Sequence, residues 1–405
     1  MSARIRQSGM SMVELMVAMA IALIGTIIIF QVFEVSEGIR RTTTSGGDAQ
    51  QNGQIGLYVI ENDLRNAGMG FNDTQYAGCN ATAYDSGRAP TNFNILMAPA
   101  SIAGGAANTA ADSLSIFYGS QYAVANATTL TAVMANGTSN VKVVPAGRYG
   151  FRTGDMLLLV EPATPPVKCE LMQVTSLPGS DDIVHANTAF TLDWVTAGPV
   201  GTASRFNPAG GSAATFGGVG ASATRVFNIG NPYDKAGVWN TNGPTTPVYN
   251  TYSIVNNTLM VQSLFTNAAA VPVADNIVHM RALYGLDDGV NNGTVPFNAV
   301  WVAGDGLVDR YIDAATFDAI PAANKPWQYL IVVKVVIVAR SINAERPEGG
   351  AVACNATATP VTWSGTGLAG LQTSLDLSAN PDWQCYRYRV FETSIPLRNW
   401  IWKSS

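Results

Sequence analysis

An unbroken apolar run near the N-terminus constrains this chain more than any other feature. The leader MSARIRQSG opens into a run from Met10 to Phe33 in which Glu14 is the single charged residue. At about 1.5 Å of rise per residue, a helix of this length crosses a hydrocarbon layer about 30 Å thick. Arg4 and Arg6 precede the run and no arginine lies within it, which predicts a cytoplasmic N-terminus and an exported C-terminal region.

Two ordinary explanations of such a run leave something unexplained. A cleavable secretory signal has a shorter apolar region that ends in small residues, whereas this run ends with Phe30 and Phe33. A plain signal anchor accounts for the length but not for Glu14, because a carboxylate in hydrocarbon is costly unless it is neutralised or paired. We therefore expect Glu14 to have a partner.

The start of the run, Gly9 followed by MSMVELMVA, resembles the class III signal of type IV prepilins and type II secretion pseudopilins. In that family a membrane peptidase cuts after the glycine, methylates the new N-terminal residue and keeps a glutamate at the fifth mature position. The resemblance implies cleavage between Gly9 and Met10, methylation of Met10, and an ion pair between Glu14 and the N-terminal amine of a neighbouring subunit. Met10 departs from the family pattern, in which the first mature residue is usually Phe.

The chain after the apolar run is polar and then returns to helical spacing. An apolar stripe predicts that the helix continues to residue 68, and it consists of Ile55, Tyr58, Val59 and Leu64. Charged residues are expected on the opposite, solvent-facing side, namely Glu61, Asp63 and Arg65. Gly46 and Gly47 are expected to loosen the middle of this helix, because glycine is unfavourable in a helix interior.

Short β-prone runs separated by Gly, Pro, Asn and Asp dominate the rest of the chain. They are residues 113–118, 141–144, 156–160, 169–175, 249–254, 258–264, 277–284, 329–339 and 386–395. Asn256 and Asn257 are typical of a hairpin turn between two of them, because asparagine tolerates positive φ. Residues 197–230 and 355–380 are rich in small residues and are expected to be loops with little core to bury.

These patterns together predict an α+β fold in which a long N-terminal helix packs on antiparallel β-sheets of a large C-terminal globular domain. The expected divisions are a cytoplasmic leader (1–9), a transmembrane half of the helix (10–33), a periplasmic amphipathic half (34–68) and a β-rich domain with long loops (69–405). Only 13% of the residues are charged against 47% hydrophobic, a composition that favours an extracytoplasmic protein. The net charge of −5 and the absence of Lys/Arg runs argue against nucleic-acid binding.

The four cysteines are widely spaced and include no C-x-x-C pair, which argues against zinc and favours two disulfides. Four cysteines allow three pairings. We favour the pairs Cys354–Cys385 and Cys79–Cys169. Cys354 and Cys385 flank a loop rich in small residues, and a cross-link between them would limit the conformational entropy of that loop. The alternative is four free, buried thiols.

Several later segments resemble the PilW group of minor pilins, from ENDLRNAGMGF in the helix to DNIVHMRALYGLDD, IVVKVVIVARS and YRYRVFETSIPLRNWIW near the C-terminus. Residues 80–245 are less similar. The resemblance implies an inner-membrane protein with a periplasmic domain that moves into the extracellular pilus. It further implies a role in priming pilus assembly, capping the tip and supporting twitching motility. The implied partners are prepilin peptidase, inner-membrane lipid, other minor pilins, the major pilin and a tip adhesin.

Two other functions remain open at this stage: a type II secretion pseudopilin, and a signal-anchored periplasmic enzyme or receptor. The sequence has no recognisable nucleophile, phosphate-binding or metalloprotease motif, and His185 and His279 lie far apart, so we predict neither catalysis nor a cofactor. The acidic run from Asp287 to Gly293, with Asp305 and Asp309, could supply oxygen ligands to calcium, but it lacks EF-hand spacing and is expected to be a solvated loop.

The C-terminal tryptophans allow two interpretations. Trp400 and Trp402 could form a contact patch for a partner or close the edge of the core.

Overall fold

The computed structural model describes residues 9–401, with gaps that we leave out of the description. The gaps are residues 72, 106–108, 121–126, 162–167, 196–197, 202, 213, 219–223, 240–245, 290–304, 346–353 and 364–373. The predicted leader therefore lies outside the described residues except for Gly9, and so does Trp402.

One helix of 55 residues, α1 (Met12–Asn66), forms the N-terminal part of the structure. It begins two residues after the predicted start because Ser11 is still extended, with φ −71° and ψ 145°. The helix continues through Gly46 and Gly47, where the sequence predicted a weak point. It ends just before Gly68 and Gly70, whose positive φ angles of 81° and 88° suit a chain reversal.

Three main sheets follow α1. The first sheet has the order β2-β1-β8-β7-β10-β5, with β1 (Cys79–Tyr84), β2 (Asn92–Met97), β5 (Thr128–Thr129), β7 (Met156–Glu161), β8 (Lys168–Gln173) and β10 (Arg225–Gly230). The second has the order β13-β12-β11-β4-β3, with β3 (Ala100–Ala103), β4 (Ser113–Tyr118), β11 (Val248–Val255), β12 (Thr258–Ser263) and β13 (Val271–Asp275). The third has the order β15-β14-β16-β19, with β14 (Ile277–Leu286), β15 (Arg310–Ile312), β16 (Leu330–Arg340) and β19 (Tyr388–Pro396).

Smaller elements complete the domain. They are two strand pairs, β6 (Val141–Lys142) with β9 (Asp182–Ile183) and β17 (Val361–Thr362) with β18 (Ser374–Leu375), and two short helices, α2 (Ala314–Asp318) and α3 (Arg398–Ile401). Pairing between these strands is antiparallel except between β1 and β8, which are parallel. The α+β architecture predicted from the sequence is confirmed, and each of the nine predicted runs contains a strand.

The first sheet is buried on both faces, which explains the continuous apolar sequence of β7. Leu158 and Val160 point into the main core, while Leu157 and Leu159 point into a second core on the other face. Phe216 and Val226 belong to that second core. The expectation that residues 197–230 bury little was therefore wrong, because a few large apolar residues between the small ones cover this face.

The third sheet is also covered on both faces. Val335 and Ile337 of β16 join the main core, whereas Val336 and Val338 pack with Trp363 and other residues around β17 and β18. The stretch 355–380 is therefore more than the simple loop predicted, because Trp363 covers one face of β16. The predicted disulfide pairing is present: Cys79 is bonded to Cys169 across β1 and β8, and Cys354 to Cys385 near β19.

Small residues form the side of α1 that contacts the sheets. The buried positions follow helical spacing and are Ser45, Ala49, Gly53, Gly56, Ile60, Asp63 and Leu64. A Cβ on Gly53 would lie 2.1 Å from the Phe391 ring, and one on Gly56 would lie 3.1 Å from Leu259 and 3.3 Å from Ile337. The absent side chains let the helix axis approach the second and third sheets closely.

The apolar stripe predicted for α1 was partly wrong. Leu64 is buried, but Ile55 is 41% and Tyr58 69% exposed, so the helix is rotated relative to the prediction. The reason is that Ala and Gly, which carry little hydrophobic signal, mark the buried side, while two larger apolar residues remain outside.

We predict that Gly53→Ala lowers the free energy of unfolding by about 1–3 kcal/mol, because the new methyl group must displace the ring of Phe391. The matched control is Gly46→Ala, where a Cβ has no neighbour within 4 Å. That variant should be neutral or stabilising by up to about 1 kcal/mol, since alanine is the better helix former. Chemical unfolding of the full chain in detergent measures both, and equal effects would contradict the close approach.

Candidate functional site: the N-terminal helix and its attachment

Gly9 and Met10, the residues predicted to flank a cleavage site, lie ahead of α1 in the structure. No neighbouring atom lies within 4 Å of a Cβ built on Gly9, and Met10 is 68% exposed. Glu14 lies in the first turn of the helix and is exposed. The arrangement places a backbone bond accessible to another protein directly before a helix whose first turn carries a carboxylate.

The first part of α1 projects beyond the domain. From Met12 to Thr44, the side chains described are exposed apart from a partly covered Gly25, and the apolar ones lie on all sides of the helix. A helix that is apolar on every side needs lipid or other apolar partners around it. By length and composition, α1 can cross a membrane. Thr26 fits such surroundings, because its hydroxyl donates to the carbonyl of Ala22 at 2.7 Å.

The second part of α1 is held on the domain by a buried carboxylate. Asp63 accepts hydrogen bonds from the Tyr118 hydroxyl at 2.9 Å, the Asn250 amide at 2.9 Å and the Tyr252 hydroxyl at 2.6 Å. Tyr118 lies on β4, and Asn250 and Tyr252 lie on the adjacent β11. A single helical side chain thus bonds to two neighbouring strands of the second sheet.

The hydroxyl groups of Tyr118 and Tyr252 stay protonated and can therefore donate hydrogen bonds to Asp63. Burial raises the pKa of Tyr118 and of Tyr252, and the nearby Asp63 carboxylate raises both further. Each hydroxyl therefore keeps its proton at neutral pH and donates it to Asp63. The sequence pattern had assigned Asp63 to the solvent-facing side of the helix, and this assignment was wrong.

A second contact closes the end of α1. Trp400 of α3 is buried, lies against Phe71 with ring centroids 6.0 Å apart, and donates its indole N–H to the carbonyl of Trp327 at 3.0 Å. Asn399 donates its amide to the carbonyl of Arg65 at 3.2 Å. Of the two interpretations of the C-terminal tryptophans, closure of the core is therefore the correct one for Trp400.

The acidic residues considered for calcium make contacts within the fold. Asp287 and Asp288 are buried rather than solvated: Asp287 accepts from the Gly306 backbone N–H at 2.7 Å, and Asp288 forms an ion pair with Arg310. Residues 291–293 lie outside the described part. Among the residues that the structure describes, no group of three or more His, Cys, Asp or Glu could hold a metal ion.

The sequence predicted roles for Gly9, Met10 and Glu14, and it missed the residues that attach α1 to the domain. One signal was available: Gly53, Gly56, Ile60 and Asp63 recur at helical spacing, which places the aspartate on the same side as the glycines. Hydrophobicity alone could not reveal it, because glycine and aspartate are both read as polar or neutral.

We predict that Asp63→Ala lowers the free energy of unfolding by about 3 kcal/mol or more, because several buried donors lose their acceptor. The control is Glu61→Ala, two residues away, which removes only an i,i+4 ion pair with the exposed Arg65 and should cost less than about 0.5 kcal/mol. Chemical unfolding distinguishes them, and comparable losses would show that the buried contact is not what holds the helix.

Comparison with known families gives two matches within the chain. The family described as Type IV Pilus-assembly protein W matches residues 246–399, and the Prokaryotic N-terminal methylation motif matches residues 4–30. No curated protein and no solved structure matches the chain. The Pilus-assembly match spans β11 to β19, including Asn250, Tyr252 and Phe391, all of which contact α1.

The first sheet, in contrast, lies entirely outside that match. Thus the matched regions contain the N-terminal part of the helix and most of the surface to which the helix is attached. An apolar helix with a class III signal indicates membrane anchoring, with a soluble domain on its C-terminal side. Together the two matches support a PilW-type minor pilin that carries a class III signal.

Proposed function

We propose that this chain primes assembly of a type IV pilus and occupies a position at or near the pilus tip. The observation that carries the proposal is that one rigid element joins the two matched regions. The segment bearing the methylation motif and the helical residues held by Asp63 belong to the same unbroken α1. A force or a contact at the N-terminal end of α1 is therefore transmitted through the helix to the domain.

Processing is the first step that we propose. Prepilin peptidase cuts between Gly9 and Met10 on the cytoplasmic side and methylates Met10. Residues 1–9 are then lost, residues 10–33 remain in the inner membrane, and residues 34–68 with the domain of 69–405 lie in the periplasm. The exposure of Gly9 and Met10 ahead of the helix supports this step, because a protease needs an extended, accessible backbone.

Charge pairing at Glu14 during assembly is the second step that we propose. A carboxylate surrounded by apolar helices is stabilised by an opposite charge at close range. We infer that it pairs with the N-terminal amine of a neighbouring pilin, so that two charges too costly to bury singly are buried together. The pair fixes the axial register between subunits when the helix leaves the membrane for the filament.

The size of the domain supports a tip position. The first sheet and its second core are added to the surface that holds α1, and they lie outside the family match. Subunits within a filament need neighbours stacked above and below, so a bulky addition is most easily accommodated at an end. The partners that we propose are other minor pilins, the major pilin and a tip adhesin.

We predict that the mature protein lacks residues 1–9 and carries one added methyl group on Met10. Intact-mass measurement of the membrane-extracted protein tests this directly. Gly9→Val should retain the leader, because the bulkier residue blocks the peptidase. A wild-type protein that keeps its leader would contradict the processing step.

We further predict that removing the gene abolishes surface pili and twitching motility, and that the wild-type gene restores both. Glu14→Ala should be made and inserted in the membrane normally but should restore pili poorly, because the neighbouring amine is left without a partner. Glu34→Ala, a matched change in the same helix beyond the apolar run, is the control and should restore pili fully.

Gold labelling of sheared pili then tests the position of the subunit. Label confined to filament ends supports the tip position, and label along the shaft contradicts it. Full restoration by Glu14→Ala would refute the pairing role even if the gene is required.

A further inference from the structure

A cleft with a volume of about 220 Å³ opens where several parts of the domain meet. Asn257 comes from the turn between β11 and β12, Val278 and His279 from the start of β14, and Asp376 and Asn380 from the segment before β19. Among the residues that the structure describes, Thr109, Leu377, Ala379 and Tyr388 also line the cleft. All of the described lining except Thr109 belongs to the C-terminal half of the domain, and none of the hydrogen-bond partners of Asp63 named above lines the cleft.

The polar groups of the cleft include both acceptors and donors. Hydrogen bonds from Ser378 lower the pKa of the Asp376 carboxyl, so this group is an ionised acceptor at neutral pH. The Asn380 carbonyl oxygen accepts from the Asp382 backbone N–H at 3.1 Å, which orients its amide group as a donor. Asn257 supplies a second amide and Thr109 a hydroxyl.

The remaining lining is apolar apart from the imidazole of His279. Val278, Leu377 and Ala379 contribute aliphatic groups, and Tyr388 contributes an aromatic ring whose hydroxyl already donates to the carbonyl of Trp383 at 2.9 Å. The ring is thereby held in one orientation. A ligand that fits must accordingly present an apolar surface as well as hydrogen-bonding groups.

We propose that this cleft binds one pyranose-sized saccharide unit. A hydroxyl group both donates and accepts, so a ring of hydroxyls matches a mixed set of carboxylate and amide groups. A cation would need acceptors alone, and an anion would be repelled by Asp376. The C–H face of a sugar ring matches the aliphatic groups and the ring of Tyr388, and the volume is below the range for larger ligands.

The disulfide between Cys354 and Cys385 supports a preformed site. It closes the segment that carries Asp376 and Asn380 and ends three residues before Tyr388, with its two Cα atoms 4.8 Å apart. The cross-link therefore holds the two ends of this segment together just before β19, the strand that supplies Tyr388. Binding consequently costs less ordering of the segment than it would without the disulfide.

The test is saturation-transfer NMR on the full chain in lauryldimethylamine oxide, a detergent without a sugar headgroup that would compete. The probes are D-glucose, D-galactose, D-mannose and N-acetyl-D-glucosamine, with methylammonium and methylphosphonate as non-saccharide probes whose methyl protons report binding. At least one sugar should bind with a millimolar Kd, as expected for so small a contact, and the two ions should not bind.

Three variants locate the binding. Asp376→Asn should weaken it by about tenfold or more, because a charged acceptor is replaced by an amide. Ala379→Tyr, at an exposed position, should fill the cleft and abolish binding without disturbing the core. Asp382→Asn is the matched control on the same loop, outside the lining, and should bind as the wild type does.

Absence of binding by all four sugars overturns the inference, and so does binding that Asp376→Asn and Ala379→Tyr leave unchanged. Binding of methylammonium or methylphosphonate in place of sugar would also overturn it. None of these results bears on processing or pilus assembly, so the inference fails or stands independently of the proposed function.

Discussion

The structure depends on how α1, which is apolar in its N-terminal part, is fixed to the domain by its C-terminal part. Asp63 provides that hold, because its carboxylate accepts hydrogen bonds from side chains on β4 and β11 while almost excluded from water. A buried carboxylate is costly unless donors surround it, so it specifies one axial position and one rotation of the helix. Gly53 and Gly56 complement it, since their lack of a side chain lets α1 approach the sheets.

This attachment connects the second and third sheets. Asp63 bonds to the second sheet, and Gly53 contacts Phe391 of the third. Both contacts lie largely within the region that matches the Pilus-assembly family. The family region is therefore the part of the domain that carries the helix, whereas the first sheet extends the domain away from it. Tyr118 of β4, a strand of the second sheet that lies outside the match, also bonds to the helix.

The first sheet and the core on its outer face explain why the many small residues of 197–230 wrongly predicted a loop with little to bury. Residues 197–230 contain many Gly, Ala, Ser and Thr, yet Phe216 and Val226 lie in a core of their own. A sheet buried on both faces needs apolar cover from somewhere in the chain, and a few large residues in a polar segment suffice. Trp363 does the same for β16, so its apolar run is buried on both faces.

The sequence by itself determined the local features: the apolar helix from its length and its single carboxylate, the strands from their β-prone runs, and the order of helix before sheets. These follow from short-range patterns that do not depend on distant residues. The tertiary structure alone decided which side of α1 is buried, because Asp63 is buried only when donors from β4 and β11, far along the chain, are brought to it. It also decided that Asn257, His279 and Asp376 line one cleft, since residues this distant in sequence meet only through the packing of sheets and a disulfide.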